Sequence, residues 1–180
     1  VASNESLAAI LTRVANAERD VVAVYANLAF ADLTRNLVCP MRRLGMRNFF
    51  VLALDGELCG AIADLGVPCF FDEGFGRGFE EHERWTNALK SRYFRMLQRK
   101  LSYVEQVLAL GYNLLLSDAD TVYLSDPLAY VKNALKLASD ADLLIQSDTR
   151  PHVAESVDWV CAGNFYIRAT KAAATFIREA

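Results

Sequence analysis

The tetrapeptide Ser-Asp-Ala-Asp occurs twice in this sequence, at residues 117–120 and again at residues 139–142. Two carboxylates at positions i and i+2 commonly hold a divalent cation, because Mg²⁺ and Mn²⁺ prefer oxygen ligands. In the first copy, Asp118 and Asp120 follow a run of leucines, which places them at the carboxyl end of a buried strand. Acids so close to a core need compensation, and a metal ion supplies it. We therefore predict a metal site here; the alternative is that both acids cap the following turn.

The second copy has the opposite relation to its strand. Asp140 and Asp142 precede the apolar residues 143–145, so they are expected at the amino end of that strand. In open parallel sheets, ligands bind outside the carboxyl ends of the strands. If the two strands run parallel, only the first copy faces a ligand site. The second copy is then a solvated connection between a helix and a strand.

Apolar runs rich in β-branched and aromatic residues alternate with segments of helical period along the chain. Strands are predicted over residues 21–26, 49–54 and 113–117, with shorter candidates at 67–71, 121–124, 143–146 and 164–168. Helices are predicted over residues 5–17, 30–44, 56–65, 86–110, 128–138 and 169–179. Gly111 stands at the C-cap position of the longest helix. This alternation predicts an α/β fold with a mainly parallel sheet, interrupted by a charged, glycine-rich loop over residues 71–85.

Composition narrows the range of functions. A chain of 180 residues suits a single domain, and its net charge of -3 gives no basic surface for nucleic acid. The sequence contains no uninterrupted apolar run of about 18 residues, so none of it is expected to span a membrane. Its beginning, VASNESLAAIL, lacks the pattern of a signal peptide. The four cysteines form no CxxC pair, and buried free thiols are favoured over disulfides.

Five blocks, covering about residues 20–175, occur in the order found in a known enzyme family. They read VVAVYAN, NFFVLALDGELCGAIADLGVPCFFDE, RKLSYVEQVLALGYNLLLSDADTVYLSDPLAY, DADLLIQSD and CAGNFYIRAT. In these blocks the sequence resembles the nucleotide-diphospho-sugar transferases of glycosyltransferase family 77, which have the GT-A fold. The resemblance implies a Rossmann-like, mainly parallel sheet flanked by helices on both faces. It also implies a single nucleotide-sugar-binding domain over residues 1–180.

The resemblance assigns roles to individual residues. Asp118, Ala119 and Asp120 form the DxD motif that binds metal and donor, with Asp120 favoured as the direct metal ligand. Asn27 and Asp55, at the ends of the first two strands, match positions that contact the nucleoside.

Two further positions of the donor site follow from the same resemblance. Lys100 matches a basic position on the helix before the DxD, where it approaches the ribose or the phosphates of the donor. From the residues alone, Arg95, Arg99 and Lys100 equally suit solvated charge on the outer face of that helix. Gly163 permits close approach of the backbone to the sugar.

A carboxylate or an amide near the donor sugar is expected to assist catalysis. Asp148 closes the run LLIQSD, so it is expected at the same edge of the sheet as Asp118, at the carboxyl ends of the strands. Gln146 precedes it by two positions. By analogy with carboxylates in glycoside chemistry, both are candidate catalytic residues. The alternative for Asp148 is an ordinary loop acid. The chain departs from the family pattern at Asn164, where an apolar residue is expected, and the sequence leaves open whether Asn164 points outward or alters the donor pocket.

The implied activity is that of a metal-dependent retaining glycosyltransferase using Mn²⁺ or Mg²⁺. It transfers a sugar from a UDP-sugar to a glycan or glycoprotein acceptor, with a pentose such as xylose or arabinose favoured. The implied location is the Golgi lumen or another secretory compartment, with membrane attachment only through an anchor outside this chain. The chain ends inside a predicted helix, which leaves a C-terminal truncation open.

Two alternative functions remain at this point. Residues 118–122, DADTV, also match the first motif of haloacid-dehalogenase-like phosphatases, with Asp118 as nucleophile and Asp120 as acid/base. The other alternative is a catalytically silent relative that binds a nucleotide sugar or a protein partner.

Overall fold

The computed structural model describes residues 5–73, 90–147 and 160–179 of the chain. Within these residues one sheet contains the strands β1 (Asp20–Ala26), β2 (Phe49–Ala53), β3 (Cys69–Phe70), β4 (Asn113–Asp118), β5 (Leu143–Ser147) and β6 (Val160–Ile167). The helices are α1 (Leu7–Val14), α2 (Ala31–Arg43), α3 (Gly56–Ala61), α4 (Lys90–Ala109), α5 (Pro127–Leu137) and α6 (Lys171–Glu179). Short 3₁₀ helices cover Leu28–Phe30 and Ala63–Leu65.

The sheet is mainly parallel, as predicted. Its strand order is β3-β2-β1-β4-β6-β5. Strand β1 pairs in parallel with β2 and β4, whereas β6 is antiparallel to both β4 and β5. Because both are antiparallel to β6, β4 and β5 run in the same direction, which confirms the relation expected for the two Ser-Asp-Ala-Asp strands. After β3 the chain crosses to the other side of β1, so the order of the strands reverses between β1 and β4.

Helices cover both faces of the sheet. On one face, α1, α4 and α6 pack over alternate residues of the central strands, such as Val21, Ala23, Leu114 and Leu116. On the other face, α2, α3 and α5 pack over the intervening residues. The apolar spacing of the helices accounts for this packing, because residues three and four apart share one side of a helix. The α/β architecture with helices on both faces is therefore confirmed.

Local signals in the sequence fix where several helices begin and end. Ser6, Asp55 and Asp126 are the N-cap residues of α1, α3 and α5, and each accepts a hydrogen bond from a backbone amide in the first turn. Gly111 follows α4 with a φ of 77°, a left-handed conformation that glycine adopts without strain. The predicted C-cap is thus confirmed, and the chain turns directly into β4.

Buried polar groups join three strands at the amino edge of the sheet. Asp20, which is 3% exposed, accepts hydrogen bonds from the Asn113 side chain at 2.9 Å and from the Tyr166 hydroxyl at 2.9 Å. These contacts connect β1, β4 and β6 at the end opposite to the candidate site. Asp142 also lies near this end, where its carboxylate accepts a hydrogen bond from the Thr170 hydroxyl at 2.7 Å.

Two expectations need correction. Residues 121–124 do not form a strand and pair with none of the strands of the sheet. Their side chains nevertheless alternate between exposed and buried around Tyr123. Cys59 and Cys69 are joined by a disulfide, whereas free thiols were favoured. The fold brings the Cα atoms of these cysteines within 5.5 Å, because the chain returns from α3 to β3 beside β2. Cys39 and Cys161 are free.

Three predicted features lie partly or wholly outside the described ranges. They are the glycine-rich loop beyond residue 73, the first residues of the helix predicted over 86–110, and Asp148. Among the helices that are described, none has both the length and the apolar character needed to cross a membrane.

Candidate functional site

The candidate site lies where the strand order reverses, at the carboxyl ends of β1 and β4. Tyr25 and Asp118 are register partners on these two strands, and Ala26 is the partner of Ala53 on β2. The residues that follow each strand therefore emerge at one edge of the sheet. In open α/β sheets this crevice is the usual place for a ligand.

The centre of the site is a partly buried ion pair between α4 and β4. The Lys100 ammonium lies 2.6 Å from Asp118 Oδ1 and 5.3 Å from the centre of the Tyr25 ring. The Lys100 side chain is 6% exposed, whereas that of Asp118 is 36% exposed. A buried ammonium needs a compensating charge, and Asp118 provides it. Lys100 is therefore not solvated charge on the outer face of its helix.

Electrostatics around Asp118 act in both directions. Burial raises the pKa of the Asp118 carboxyl above its ordinary value, and the positive charge of Lys100 opposes that rise. The charge of Asp120 adds to the rise. The positive charge of Lys100 therefore offsets part of the cost of burying the Asp118 carboxylate.

A bulge in β6 brings a glycine against this carboxylate. Between the pairs Ile145–Phe165 and Gln146–Cys161 the register shifts, and Gly163 lies in the extra length of β6. A Cβ at Gly163 would stand 2.7 Å from Asp118 Oδ2 and 3.4 Å from the Cys161 sulfur. A side chain at this position would displace the Asp118 carboxylate. The structure thus gives a reason for a glycine at this position, which the sequence alone did not supply.

The DxD residues point in different directions. Ala119 is 5% exposed and packs into the core on the α2–α3–α5 face of the sheet. Asp118 faces α4, and Asp120 is exposed in the turn that follows β4. The backbone amide of Thr121 closes that turn by donating to the Asp118 carbonyl at 3.3 Å. The buried alanine therefore anchors a turn in which Asp120 is open to solvent.

The Asn27 side chain has a buried oxygen that is free to accept a hydrogen bond. Its Oδ1 is buried and accepts no hydrogen bond within the part of the chain that the structure describes. Asn27 is the N-cap residue of a 3₁₀ helix, yet its side chain makes no capping bond. Buried acceptors without a partner are rare in proteins and call for an explanation such as a ligand.

Asp55 has a clear structural role beside Asn27. Its Oδ2 accepts a hydrogen bond from the Leu28 amide at 2.8 Å, and its Oδ1 accepts one from the Leu58 amide at 2.9 Å. Asp55 thereby joins the loop after β1 to the start of α3. Each oxygen keeps a further lone pair, so contact with a nucleoside stays a prediction.

Arg99, for which the sequence left solvated charge open, and Tyr103, which the sequence did not single out, also lie at this edge. Arg99 is 8% exposed and donates to the Leu54 carbonyl, at the end of β2, across 3.4 Å. The Tyr103 hydroxyl donates to the Ala53 carbonyl at 3.3 Å and accepts from the Asp72 amide at 3.2 Å. The alternative that Arg99 is solvated is therefore wrong. The helical spacing leaves that choice open, because it does not show how the middle of α4 lies relative to the sheet.

The remaining predicted residues are more dispersed. Gln146 is exposed on β5, and β6 separates its strand from β4. Asn164 is paired with Ser117, and its Oδ1 lies 3.4 Å from the Tyr123 hydroxyl, on the face of the sheet opposite to Lys100. Asn164 therefore does not point toward the Asp118 carboxylate.

The described residues fit a metal ion that a bound ligand helps to hold. Asp118 and Asp120 could supply oxygen ligands, and the missing Cβ of Gly163 leaves room for the Asp118 carboxylate. The part of the chain that the structure describes contains no group of three or more His, Cys, Asp or Glu side chains suited to a metal. Two carboxylates with remaining positions for phosphate oxygens match the preference of Mg²⁺ and Mn²⁺.

Comparison with known proteins identifies the family. The family model described as nucleotide-diphospho-sugar transferase matches residues 44–180. The chain belongs to the nucleotide-diphospho-sugar transferase family. The resemblance inferred from the sequence blocks is thus confirmed. The matched region includes both residues of the Lys100–Asp118 pair.

Its relatives among known proteins are glycosyltransferases. The beta-arabinofuranosyltransferase RAY1 of Arabidopsis thaliana is 32% identical over 127 residues, covering 71% of this chain. The arabinosyltransferase XEG113 of the same plant is 31% identical over 128 residues, again covering 71% of the chain. A UDP-galactose:fucoside alpha-3-galactosyltransferase of Dictyostelium discoideum is 25% identical over 190 residues, covering 90%. The chain spans 23%, 18% and 28% of the lengths of these relatives, respectively.

A solved structure of a CMP:2-keto-3-deoxy-manno-octonic acid synthetase complexed with CTP covers 89% of the nucleotide-diphospho-sugar transferase chain and 77% of its own chain. At 8% identity and a TM-score of 0.43, this likeness is too slight to bear on fold or function.

Proposed function

We propose that this chain carries the donor site of a metal-dependent retaining glycosyltransferase that uses a UDP-sugar. The observation that supports this most directly is the contact of the buried Lys100 with Asp118 at the strand-order reversal, with Asp120 exposed in the next turn. A cation and an anion held side by side suit a ligand that is itself a metal–diphosphate complex. Family membership favours this function over the phosphatase alternative.

Each residue has a proposed task in donor binding. Asn27 Oδ1 accepts a hydrogen bond from the nucleoside, and Asp55 holds the surrounding loops in place. Lys100 lies close to the diphosphate, and Gly163 lets the sugar approach the backbone. Asp118 and Asp120 would hold Mn²⁺ or Mg²⁺, and the metal would supply positive charge beside the diphosphate. Asp148 and Gln146 remain the proposed catalytic residues near the sugar.

For the transferred sugar we propose a pentose, and for the acceptor a glycan or glycoprotein. Two relatives are named as arabinosyltransferases, which supports the pentose, while a third is named for UDP-galactose. We place the protein in the Golgi lumen or another secretory compartment, attached to the membrane only through an anchor outside this chain. The Cys59–Cys69 disulfide supports this location, because disulfides persist in oxidising compartments.

Calorimetry tests the donor proposal. The chain is titrated with UDP in the presence of Mn²⁺, and then with UDP-arabinose, UDP-xylose and UDP-galactose. We expect UDP to bind only with the metal present and a UDP-pentose to bind more tightly than UDP-galactose. Undetectable binding of UDP with Mn²⁺ contradicts the proposal. Binding of a UDP-sugar with neither transfer nor hydrolysis would identify a catalytically silent relative instead.

A further inference from the structure

We propose that Lys100 is a built-in counter-ion that makes metal binding at the DxD depend on the nucleotide. In the free protein its ammonium holds Asp118 and repels an entering metal ion; with the nucleotide bound, the same ammonium stabilises the diphosphate. This inference rests on the donor site proposed above. It concerns the order and coupling of ligand binding at that site.

The geometry shows why a metal ion and Lys100 compete. Asp118 Oδ1 is 2.6 Å from the Lys100 ammonium, and Oδ2 occupies the space that a side chain at Gly163 would fill. A metal ion that used both oxygens would stand close to the Lys100 ammonium, whose positive charge repels it. The Lys100 ammonium lies 5.3 Å from the centre of the Tyr25 ring, and Lys100 is only 5% exposed. The ammonium therefore cannot retreat into solvent without a larger rearrangement.

The local charges give the expected sign of the effect. Lys100 compensates Asp118, which leaves Asp120 as the exposed carboxylate of the motif. A single exposed carboxylate binds Mn²⁺ weakly. A nucleoside diphosphate brings phosphate oxygens that can coordinate the metal and accept hydrogen bonds from the ammonium at the same time. Metal and nucleotide should thus each raise the affinity of the protein for the other, and by the same factor.

Removing the ammonium should have opposite effects on the two ligands. For Lys100→Met we expect the affinity for Mn²⁺ alone to rise about tenfold, because a nearby positive charge is gone from a poorly solvated site. We expect the affinity for UDP in the presence of Mn²⁺ to fall about tenfold, because the diphosphate loses a charged donor. With the affinity for UDP alone unchanged, the coupling between metal and nucleotide should then fall about tenfold.

The test measures Mn²⁺ binding by the electron paramagnetic resonance signal of the free ion, with and without saturating UDP. Wild type is compared with Lys100→Met and with Lys100→Gln, which keeps a hydrogen-bond donor near Asp118 and covers the case that Lys100→Met does not fold. Lys132→Met is the matched control, because Lys132 is half exposed and pairs with Glu18 across 3.6 Å. Circular dichroism confirms that each variant is folded.

Tighter binding of Mn²⁺ alone together with weaker binding of UDP supports the inference. If the folded variants bind Mn²⁺ alone as wild type does, or more weakly, Lys100 merely holds Asp118 in place and the inference is overturned. Wild-type binding of UDP with Mn²⁺ would in that case still uphold the proposed function. Failure of wild type to bind UDP with Mn²⁺ would overturn both.

Discussion

At the scale of single residues, the site depends on the contact between Asp118 and Gly163. Because a Cβ at Gly163 would stand 2.7 Å from Asp118 Oδ2, Gly163→Ala must displace the carboxylate. We expect this variant to lose about 1–3 kcal/mol of unfolding free energy, a typical result of overpacking. We also expect it to bind UDP with Mn²⁺ at least about tenfold more weakly.

The matched control for this substitution is Gly60→Ala in α3. A Cβ at Gly60 would meet no atom within 4 Å, and alanine favours a helix over glycine by about 1 kcal/mol. The control should therefore be slightly more stable than wild type and bind UDP normally. Normal nucleotide binding by Gly163→Ala would contradict the assigned role of Gly163.

Asn27 gives a second prediction at this scale, with opposite signs for stability and binding. Its buried Oδ1 accepts no hydrogen bond within the described residues, so Asn27→Ala removes an uncompensated polar group. We expect the free energy of unfolding to stay the same or to rise by up to about 1 kcal/mol. The affinity for UDP with Mn²⁺ should fall about tenfold, because the nucleoside loses an acceptor. A large loss of stability in thermal unfolding would show that Asn27 is structural.

At the scale of elements, the Cys59–Cys69 disulfide holds α3 against β3, next to the start of the loop that carries Asp72. The two cysteines are ten residues apart, and closing a loop of this length stabilises a fold by about 2–3 kcal/mol. Changing both cysteines to alanine should lower the free energy of unfolding by this amount and lower the melting temperature with it. Cys39→Ala, at an exposed free cysteine, is the control.

A reducing agent provides the cross-check for the disulfide. It should lower the melting temperature of wild type to that of the double variant and leave the double variant unchanged. A wild-type melting temperature that does not respond to reduction would contradict the pairing.

Most elements follow from the sequence because their signals are local. The apolar runs predicted β1, β2 and β4 to within a residue or two, and Gly111 marked the end of α4. Residues 121–124 show the limit of such signals. They have the alternation of a strand around the buried Tyr123, yet strand formation also needs a neighbour with free backbone groups, and no local pattern reports one.

At the scale of the whole molecule, the predicted sheet topology located the two acidic motifs better than the local patterns did. It assigned Asp118 to the carboxyl edge of the sheet and Asp142 to the opposite end, and the structure places them so. The burial of Lys100 and Arg99 could not be predicted from helical spacing, because it depends on how the middle of α4 lies over the sheet. The disulfide likewise depends on the return of the chain from α3 to β3, which no spacing rule reveals.

The repeated tetrapeptide allows the most direct test of the central claim, that the donor binds at the carboxyl end of β4. Two double variants with identical chemistry are compared by calorimetry with UDP and Mn²⁺: Asp118→Asn with Asp120→Asn, and Asp140→Asn with Asp142→Asn. The account predicts a loss of at least about a hundredfold in affinity for the first pair and less than about a twofold change for the second. Equal affinities for the two double variants, or a loss confined to the second, would contradict it.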